Sequence, residues 1–169
     1  MADAASISIA TRSDARPIVT LRAAVARDMT QRFGTGPWSA IACRAEVVRQ
    51  LRASHVLVAR QDDELVGTVR LARALPGVLD SSAFTPVEHS LYVLGLAVAP
   101  GRRGRGVGRQ LMEAAKAAAR SRGADALWLD AYDHPAGAGA FYLKTGFRDA
   151  GRTHRGEIPL RYLEWLTGS

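Results

Sequence analysis

The chain has 169 residues, of which 47% are apolar and 23% are charged, a profile typical of a globular protein and not of a disordered one. Its one cysteine, Cys43, excludes an internal disulfide and a cysteine-based zinc cluster. The formal net charge is +7, and residues 101–161 carry twelve Lys and Arg against six Asp and Glu. This excess predicts an anionic partner, which could be nucleic acid, an anionic membrane or a phosphorylated small molecule.

The sequence shows no sign of a membrane-targeting segment. The N-terminus lacks a basic stretch followed by an apolar run, and no window holds the roughly 18–20 apolar residues that a membrane span needs. We therefore expect a cytoplasmic protein with no membrane partner. Because no repeat or polar linker divides the chain, a single domain over residues 1–169 is expected.

The periodicity of apolar residues predicts four helices and seven strands. In chain order they are a strand at 6–11, helices at 15–32 and 39–52, strands at 55–60, 65–75 and 91–98, a helix at 104–122, a strand at 126–132, a helix at 135–145, and strands at 147–152 and 159–166. Asp14 is expected to cap the first helix. Three meander strands followed by a strand–helix–strand crossover indicate a mixed α+β domain rather than a doubly wound sheet.

The most informative segment is Leu96–Leu111, which runs from an apolar strand through four glycines and four arginines into a helix. Glycine-rich turns at a helix N-terminus favour a bound phosphate, and arginines add charge and donors. A Walker A loop is excluded because Val107 and Gly108 stand where Lys and Ser or Thr are needed. A dinucleotide fingerprint fails because Arg109 replaces its third glycine. The alternative to a phosphate-binding loop is a tight turn with solvated arginines.

Two segments resemble the GNAT superfamily of N-acetyltransferases. Arg103–Gly108 matches the pattern Arg/Gln-x-x-Gly-x-Gly/Ala of the family's acetyl-CoA loop, and Ala138–Phe147 resembles its Ala-x-x-Phe-Tyr-x-Lys-x-Gly-Phe signature. The resemblance implies a mostly antiparallel twisted sheet, splayed at its fourth and fifth strands, with helices on both faces. It also implies direct transfer of an acetyl group from acetyl-CoA to a primary amine in a ternary complex.

The resemblance further implies which residues bind the cofactor. In the family, a bulge such as the one expected at Gly95 splays two strands, and the pantetheine arm lies along the strand end. Many relatives carry an Asn where this chain has Pro135, so His134 or Asp133 could substitute. The implied cofactor-binding residues are Leu96, Ala97, Val98, Arg103, Gly104, Arg105, Gly106, Val107, Gly108, Arg109, His134, Ala138, Phe141 and Tyr142.

The catalytic residues implied by the resemblance are Tyr142 and Glu88. A phenol can donate a proton to the departing thiolate, and the family's general acid is a tyrosine at the position of Tyr142. Glu88 is the first candidate for the general base, with His89 as the second. Asp130 could instead bind a cationic substrate. Cys43 is interpreted as a buried small apolar residue, and no metal is expected.

Two other functions stay open: a CoA-binding sensor or scaffold without catalysis, and a basic nucleic-acid-binding module. Against the latter, the arginines cluster at one loop and no recognition motif is found, so we expect no nucleic-acid partner. The expected acceptor is a small-molecule or protein amine. Arginines within 15–52 and around 152–159 favour an acceptor that carries a carboxylate or phosphate. The sequence is compatible with a homodimer.

Overall fold

The computed structural model describes residues 4–73 and 79–168. Its strands are β1 (Ser6–Ile9), β2 (His55–Gln61), β3 (Glu64–Ala72), β4 (Ser90–Val98), β5 (Ala126–Tyr132), β6 (Arg148–Arg155) and β7 (Ile158–Leu166). Its helices are α1 (Ala15–Phe33), α2 (Arg44–Ala53), α3 (Val107–Ser121) and α4 (Gly139–Lys144). None of the helices in these ranges combines the length and apolar character that crossing a bilayer would require.

The seven strands form one mixed sheet in the order β1-β2-β3-β4-β5-β7-β6. Its described pairings are antiparallel except for β4 with β5, which run parallel. That parallel ladder joins Ser90–Tyr92 to Ala126–Trp128 only, although β4 continues to Val98 and β5 to Tyr132. The mostly antiparallel sheet, splayed at its fourth and fifth strands, confirms the fold class expected from the sequence.

The chain divides into two compact units, and β4 and α3 each contribute residues to both. The first unit comprises Met1–Leu71 and Gly95–Ala115. Its core is aliphatic, because α1, α2 and β2 each bury one apolar face against the others. The core residues are Ala15, Ile18, Val47, Val56 and Val58.

The second unit comprises Ala72–Leu94 and Lys116–Ser169, and its core is aromatic. Phe84 stacks on Trp128 with a ring separation of 4.7 Å and contacts Tyr92 and Tyr162 at 6.2 and 5.0 Å. Such offset and tilted aromatic contacts add to the stabilisation from apolar burial. This cluster fixes the start of β4 against β5 and β7.

Three expectations about the N-terminal half are corrected, the first of them in part. Asp14 is the N-cap residue of α1, but its side chain does not cap the helix, since its carboxylate accepts a hydrogen bond of 2.8 Å from the Thr11 N–H and pairs with Arg60. The second helix begins at Arg44 rather than Ser39, because Ala40 has an extended backbone after a 3₁₀ turn. Cys43 therefore precedes α2, and it is exposed rather than buried.

Other element boundaries differ for local backbone reasons. Helix α3 begins at Val107 rather than at residue 104, since Gly104 and Gly106 have φ angles of +73° and +86° that no α-helix contains. Helix α4 begins at Gly139 rather than 135, after a turn. Strand β3 ends at Ala72, and the predicted strand and loop residues 74–78 lie outside the described residues.

Candidate functional site

The glycine–arginine loop presents open backbone immediately before α3. An Ala99 N–H···O=C Val66 hydrogen bond of 2.8 Å fixes the end of β4. Gly104 and Gly106 follow in the left-handed region, and apart from their own chain neighbours no atom of the described residues lies within 4 Å of the position a Cβ would take at either. The loop therefore leaves room for a ligand to approach its main chain closely.

The N-terminus of α3 is held by close packing on β3. A Cβ placed at Gly67 would lie 2.9 Å from Leu111 Cδ1 and 3.1 Å from Val107 Cγ1, so a larger residue there would displace these side chains. The first N–H groups of a helix have no partner within the helix, and the helix dipole adds a partial positive charge there. The loop and helix end together have the donor set of a phosphate site.

The four arginines of the loop differ in their partners. Arg102 pairs with Glu64 at 3.4 Å, and Arg103 donates a short hydrogen bond to Asp28. Within the ranges 4–73 and 79–168, Arg105 and Arg109 have no ion-pair partner, and both are exposed. Two of the four loop arginines, Arg102 and Arg103, thus pair with carboxylates of the protein. The other two, Arg105 and Arg109, can bind an anion. Arg103, an implied cofactor ligand, would have to share its guanidinium with Asp28.

Strand β4 is interrupted at Gly95, whose φ of +62° breaks the extended backbone. A Cβ there would lie 3.2 Å from Nη2 of Arg22, so the guanidinium occupies the side-chain space of this glycine. Leu96, Ala97 and Val98 complete the strand, and Leu96 and Val98 are half-buried. The irregularity predicted from an isolated strand glycine is therefore present, directly before the three residues implied to bind the cofactor.

A cavity of about 420 Å³ opens beside this part of β4, within the first unit. Its walls combine apolar groups with a few polar ones, as in small-molecule sites, which typically measure roughly 300–1,000 Å³. It is lined by Arg22, Val25, Ala26, Pro37, Trp38, Ala40, Ile41, Ala42, Glu46, Gln50, Gly95, Leu96 and Ala97.

Sequence reasoning grouped Arg22 with other arginines and did not identify Trp38, Glu46 or Gln50. A signal for Arg22 was available, because it lies four residues after the buried Ile18 on the apolar face of α1. Its Nη1 donates to Gln50 Oε1 at 2.7 Å, and Gln50 Nε2 donates to Glu46 Oε1 at 3.2 Å. No comparable signal pointed to Trp38 or Gln50.

Tyr142 lies in α4, in the second unit, and is buried. Its ring contacts Phe141 at 5.3 Å and Phe147 at 5.7 Å. Burial, with a smaller effect from the negative charge of Asp130, raises the pKa of Tyr142 well above its usual range. The phenol therefore keeps its proton at neutral pH. Among the described residues, no group forms a hydrogen bond with its hydroxyl.

The three candidates for proton transfer or cation binding also lie in the second unit. Glu88 and His89 are exposed, precede the first residue of β4, and line a cavity with Arg73 and Arg122. Asp130 is half-buried and pairs with Arg155 at 3.2 Å. An ion-paired Asp130 is a poor candidate for binding a cationic substrate, whereas Glu88 has no such partner in the described part of the chain.

The remaining implied cofactor residues are at the start of α4. Ala138 is the N-cap, and Phe141 is half-buried. His134 Nδ1 accepts a hydrogen bond of 3.0 Å from the Ala136 N–H, and its ring stacks on Tyr132 at 4.9 Å. His134 is therefore held by local contacts within its own turn.

No group of three His, Cys, Asp or Glu side chains that could hold a metal ion is found in residues 4–73 and 79–168.

Comparison with known proteins gives a family match and a set of similar folds. The sequence pattern of the acetyltransferase (GNAT) family matches residues 23–147. A streptothricin acetyltransferase from Streptomyces lavendulae is 40% identical over 77 residues. That match takes in 43% of this chain and 41% of the relative, so the chain spans less than half the length of this curated relative.

Two solved structures illustrate the similarity of fold. A ribosomal-protein-alanine N-acetyltransferase from Brucella melitensis superposes with a TM-score of 0.73 at 20% identity, covering 95% of this chain and 99% of that one. The protein yncA from Salmonella typhimurium, solved with its cofactor acetyl-CoA, superposes with a TM-score of 0.70 at 14% identity. The coverage there is 98% of this chain and 95% of the other.

Proposed function

Because the chain belongs to the acetyltransferase (GNAT) family, we propose that it transfers the acetyl group of acetyl-CoA to a primary amine. The amine nitrogen attacks the thioester carbonyl carbon in a ternary complex, and the carbon–sulfur bond breaks. The nitrogen loses one proton to a base and the sulfur gains one, so the products are an N-acetyl amide and free CoA. The yncA structure with acetyl-CoA supports the choice of donor.

The observation that carries the proposal is the loop that precedes α3. Gly104 and Gly106 open the backbone by their positive φ angles. Arg105 and Arg109, which have no ion-pair partner among the described residues, flank the helix N-terminus. We assign the pyrophosphate of the donor to the main-chain N–H groups of Gly104–Gly108 and to these two arginines. Arg103, already paired with Asp28, orients the loop and contributes a weaker attraction.

The end of β4 receives the acyl part of the donor in this proposal. Leu96, Ala97 and Val98 follow the irregular Gly95, and the described ladder between β4 and β5 ends before them, at Tyr92. Backbone groups of the strand end can therefore bond the amides of a pantetheine arm as a further strand would. A main-chain N–H that points at the thioester carbonyl would stabilise the negative charge that develops on its oxygen.

Tyr142 is the proposed donor to the leaving sulfur. A phenol that keeps its proton at neutral pH can donate a hydrogen bond as the carbon–sulfur bond breaks, and a proton that it gives up is replaced from solvent. Phe141, Ala138 and His134 remain proposed cofactor contacts around it. Glu88 remains the proposed base, acting through water, with His89 as the second candidate.

The test is release of free CoA thiol from acetyl-CoA in the presence of a panel of primary amines. Thiol release that depends on the amine supports the proposal. Thermal stabilisation by acetyl-CoA without turnover on any amine would instead support a CoA-binding sensor. Salt-dependent DNA binding with no acetyl-CoA binding would overturn both in favour of a nucleic-acid-binding module.

A further inference from the structure

The cavity beside Gly95 is lined by Arg22, a cation that pairs with no carboxylate of the described residues. Two arginines, Arg22 from α1 and Arg70 from β3, lie close enough that the charge of one acts on the other. A single carboxylate, Glu46 from α2, acts on both. Within residues 4–73 and 79–168, no carboxylate lies within 4 Å of the guanidinium of Arg22. Arg22, Arg70 and Glu46 together therefore carry one positive charge in excess, although Arg70 itself does not line the cavity.

The two guanidinium groups are also short of hydrogen-bond acceptors. Arg22 donates from Nη1 to Gln50, but its Nε is buried without a partner, and the Nε of Arg70 is in the same state. Burial, followed by the charge of Arg70, lowers the pKa of Arg22. A buried cation with unused donors is costly unless a ligand or water supplies acceptors.

Resting on the proposed function, we infer that the acceptor is a small amine that also carries a carboxylate, and that Arg22 binds this carboxylate. The excess of one charge in the group of Arg22, Arg70 and Glu46 matches a carboxylate better than a doubly charged phosphate. The apolar walls formed by Val25, Trp38 and Ile41 leave room for an apolar side chain. An amino acid with an aliphatic or aromatic side chain combines these features.

The position of Arg22 limits the distance between the amine and the carboxylate of the acceptor. Its guanidinium occupies the side-chain space of Gly95, and the next residues, Leu96–Val98, are those assigned to the acyl part of the donor. An amine that attacks there while its carboxylate contacts Arg22 must carry the two groups only a few bonds apart. This favours a free α- or β-amino acid over a large polycation, in which no carboxylate is available.

The experiment compares leucine, methionine and phenylalanine with their amides as acceptors, in the wild type and in Arg22→Gln. The amide keeps the amine and loses the charge, so the ratio of kcat/KM for acid and amide isolates the carboxylate. We expect this ratio to fall roughly tenfold to a hundredfold in Arg22→Gln. It should fall less in Arg22→Lys, and not at all in Arg16→Gln, which changes an exposed arginine of the same helix.

A binding measurement separates failure of this inference from failure of the proposed function. Calorimetric titration of N-acetyl-leucine and N-acetyl-leucinamide in the presence of CoA should show preference for the carboxylate, lost in Arg22→Gln. If thiol is released with amines but the ratio is the same in both proteins, the inference is overturned and the acetyltransferase stands. If no amine gives thiol release, the proposed function fails, and the titration alone decides whether Arg22 binds carboxylates. Unchanged unfolding temperatures for Arg22→Gln and Arg22→Lys would exclude misfolding as the cause.

Discussion

The arginines considered in the two units of this protein differ in whether carboxylates pair with them. In the first unit, Arg105 and Arg109 at the loop have no ion-pair partner among the described residues, and Arg22 lies in a cavity with unused donors. In the second unit, the arginines of β6 and β7 are matched by carboxylates. The pairs are Arg148 with Glu164, Arg152 with Asp133 and Asp149, Arg155 with Asp130, and Arg161 with Asp149.

Because of this difference, the positive charge of residues 101–161 does not act as a single anion-binding surface. The excess is not one basic surface, because the arginines of β6 and β7 in its C-terminal part pair with carboxylates of the second unit. Arg152 and Arg155 therefore offer no surplus charge to an anionic acceptor, against the expectation from sequence. In the described part of the chain, Arg105 and Arg109 at the loop before α3 and Arg22 in the cavity of the first unit have no ion-pair partner. We infer that binding of anionic groups belongs to the first unit, and that the second supplies a protonated phenol.

The variant Tyr142→Phe is the strongest test of the inference that the second unit supplies the proton donor and the first unit binds the anionic groups. Loss of the hydroxyl removes the proposed donor to the leaving thiolate but keeps the ring that packs against Phe147. Since general acid catalysis contributes roughly 10²–10⁴-fold, we expect kcat to fall by about a hundredfold or more. The affinity for CoA, measured by calorimetry, should change by less than about threefold.

Two other results would contradict the assignment of anion binding to the first unit and proton donation to the second. If Tyr142→Phe weakens CoA binding as much as it lowers kcat, the hydroxyl contributes to binding rather than to proton donation. Unchanged turnover would remove Tyr142 from the catalytic assignment altogether. Phe141→Leu is the matched control, since it alters the neighbouring aromatic residue without touching a hydroxyl.

The paired charges of the second unit should matter for stability. Glu164 is 3% exposed and accepts hydrogen bonds from the Thr85 N–H and hydroxyl at 2.8 and 2.6 Å and from Arg148 Nε at 2.9 Å. Burial alone would raise the pKa of Glu164, but these donors outweigh it and hold the pKa below its ordinary value of 4.5. We expect Glu164→Gln to lower the free energy of unfolding by about 2 kcal/mol.

The pH dependence of that loss has a defined sign. Because the folded-state pKa is depressed, the carboxylate stabilises the protein fully above about pH 4.5, and this contribution disappears as pH falls through the folded-state pKa. Denaturant titrations of wild type and Glu164→Gln should therefore converge in acid. Glu64→Gln, at an exposed carboxylate that pairs with Arg102, should cost less than about 0.5 kcal/mol. An equal loss in both variants would contradict the role of the buried pair.

The sequence predicted the regular elements best where burial is continuous. Strand β5 was predicted to the residue at Ala126–Tyr132, because its run of apolar side chains is buried on both faces. Helix α3 was predicted too early, because its start is set by the left-handed φ angles of Gly104 and Gly106 and not by periodicity. The same glycines were nevertheless recognisable as a phosphate loop, so the position of the candidate site could be predicted while its exact backbone could not.

The partners of charged residues could not be predicted from spacing. The pairs of Arg152 and Arg155 depend on the register that β7 sets with β5 and β6, which joins residues distant in sequence. The cavity of Arg22 likewise depends on α1, α2 and β4 meeting. Gly137 is another example, since a Cβ there would lie 1.7 Å from the carbonyl oxygen of Tyr132. Nothing in the local sequence marks that approach.

The loop arginines should affect affinity and not the stability of the fold. We expect the double variant Arg105→Gln/Arg109→Gln to weaken CoA binding by roughly tenfold, because two charge-assisted contacts to phosphate groups are lost. The difference should shrink at high salt, which screens exposed charges. The matched control, Arg152→Gln/Arg155→Gln, removes two arginines that are already paired and should change CoA affinity by less than about twofold. Equal weakening in both variants would mean that overall charge, not the loop, attracts the cofactor.

The smallest effect is expected from Cys43→Ala, which tests whether transfer is direct. A cysteine that carried the acyl group would need a base to activate its thiol. Cys43 is exposed before α2, and among the residues described no group forms a hydrogen bond with its thiol. We therefore expect kcat/KM to stay within about twofold of wild type, and initial-rate patterns to intersect as in a ternary-complex mechanism. Parallel patterns together with loss of activity in Cys43→Ala would instead place an acyl-enzyme in the first unit, and that unit would then do chemistry as well as binding.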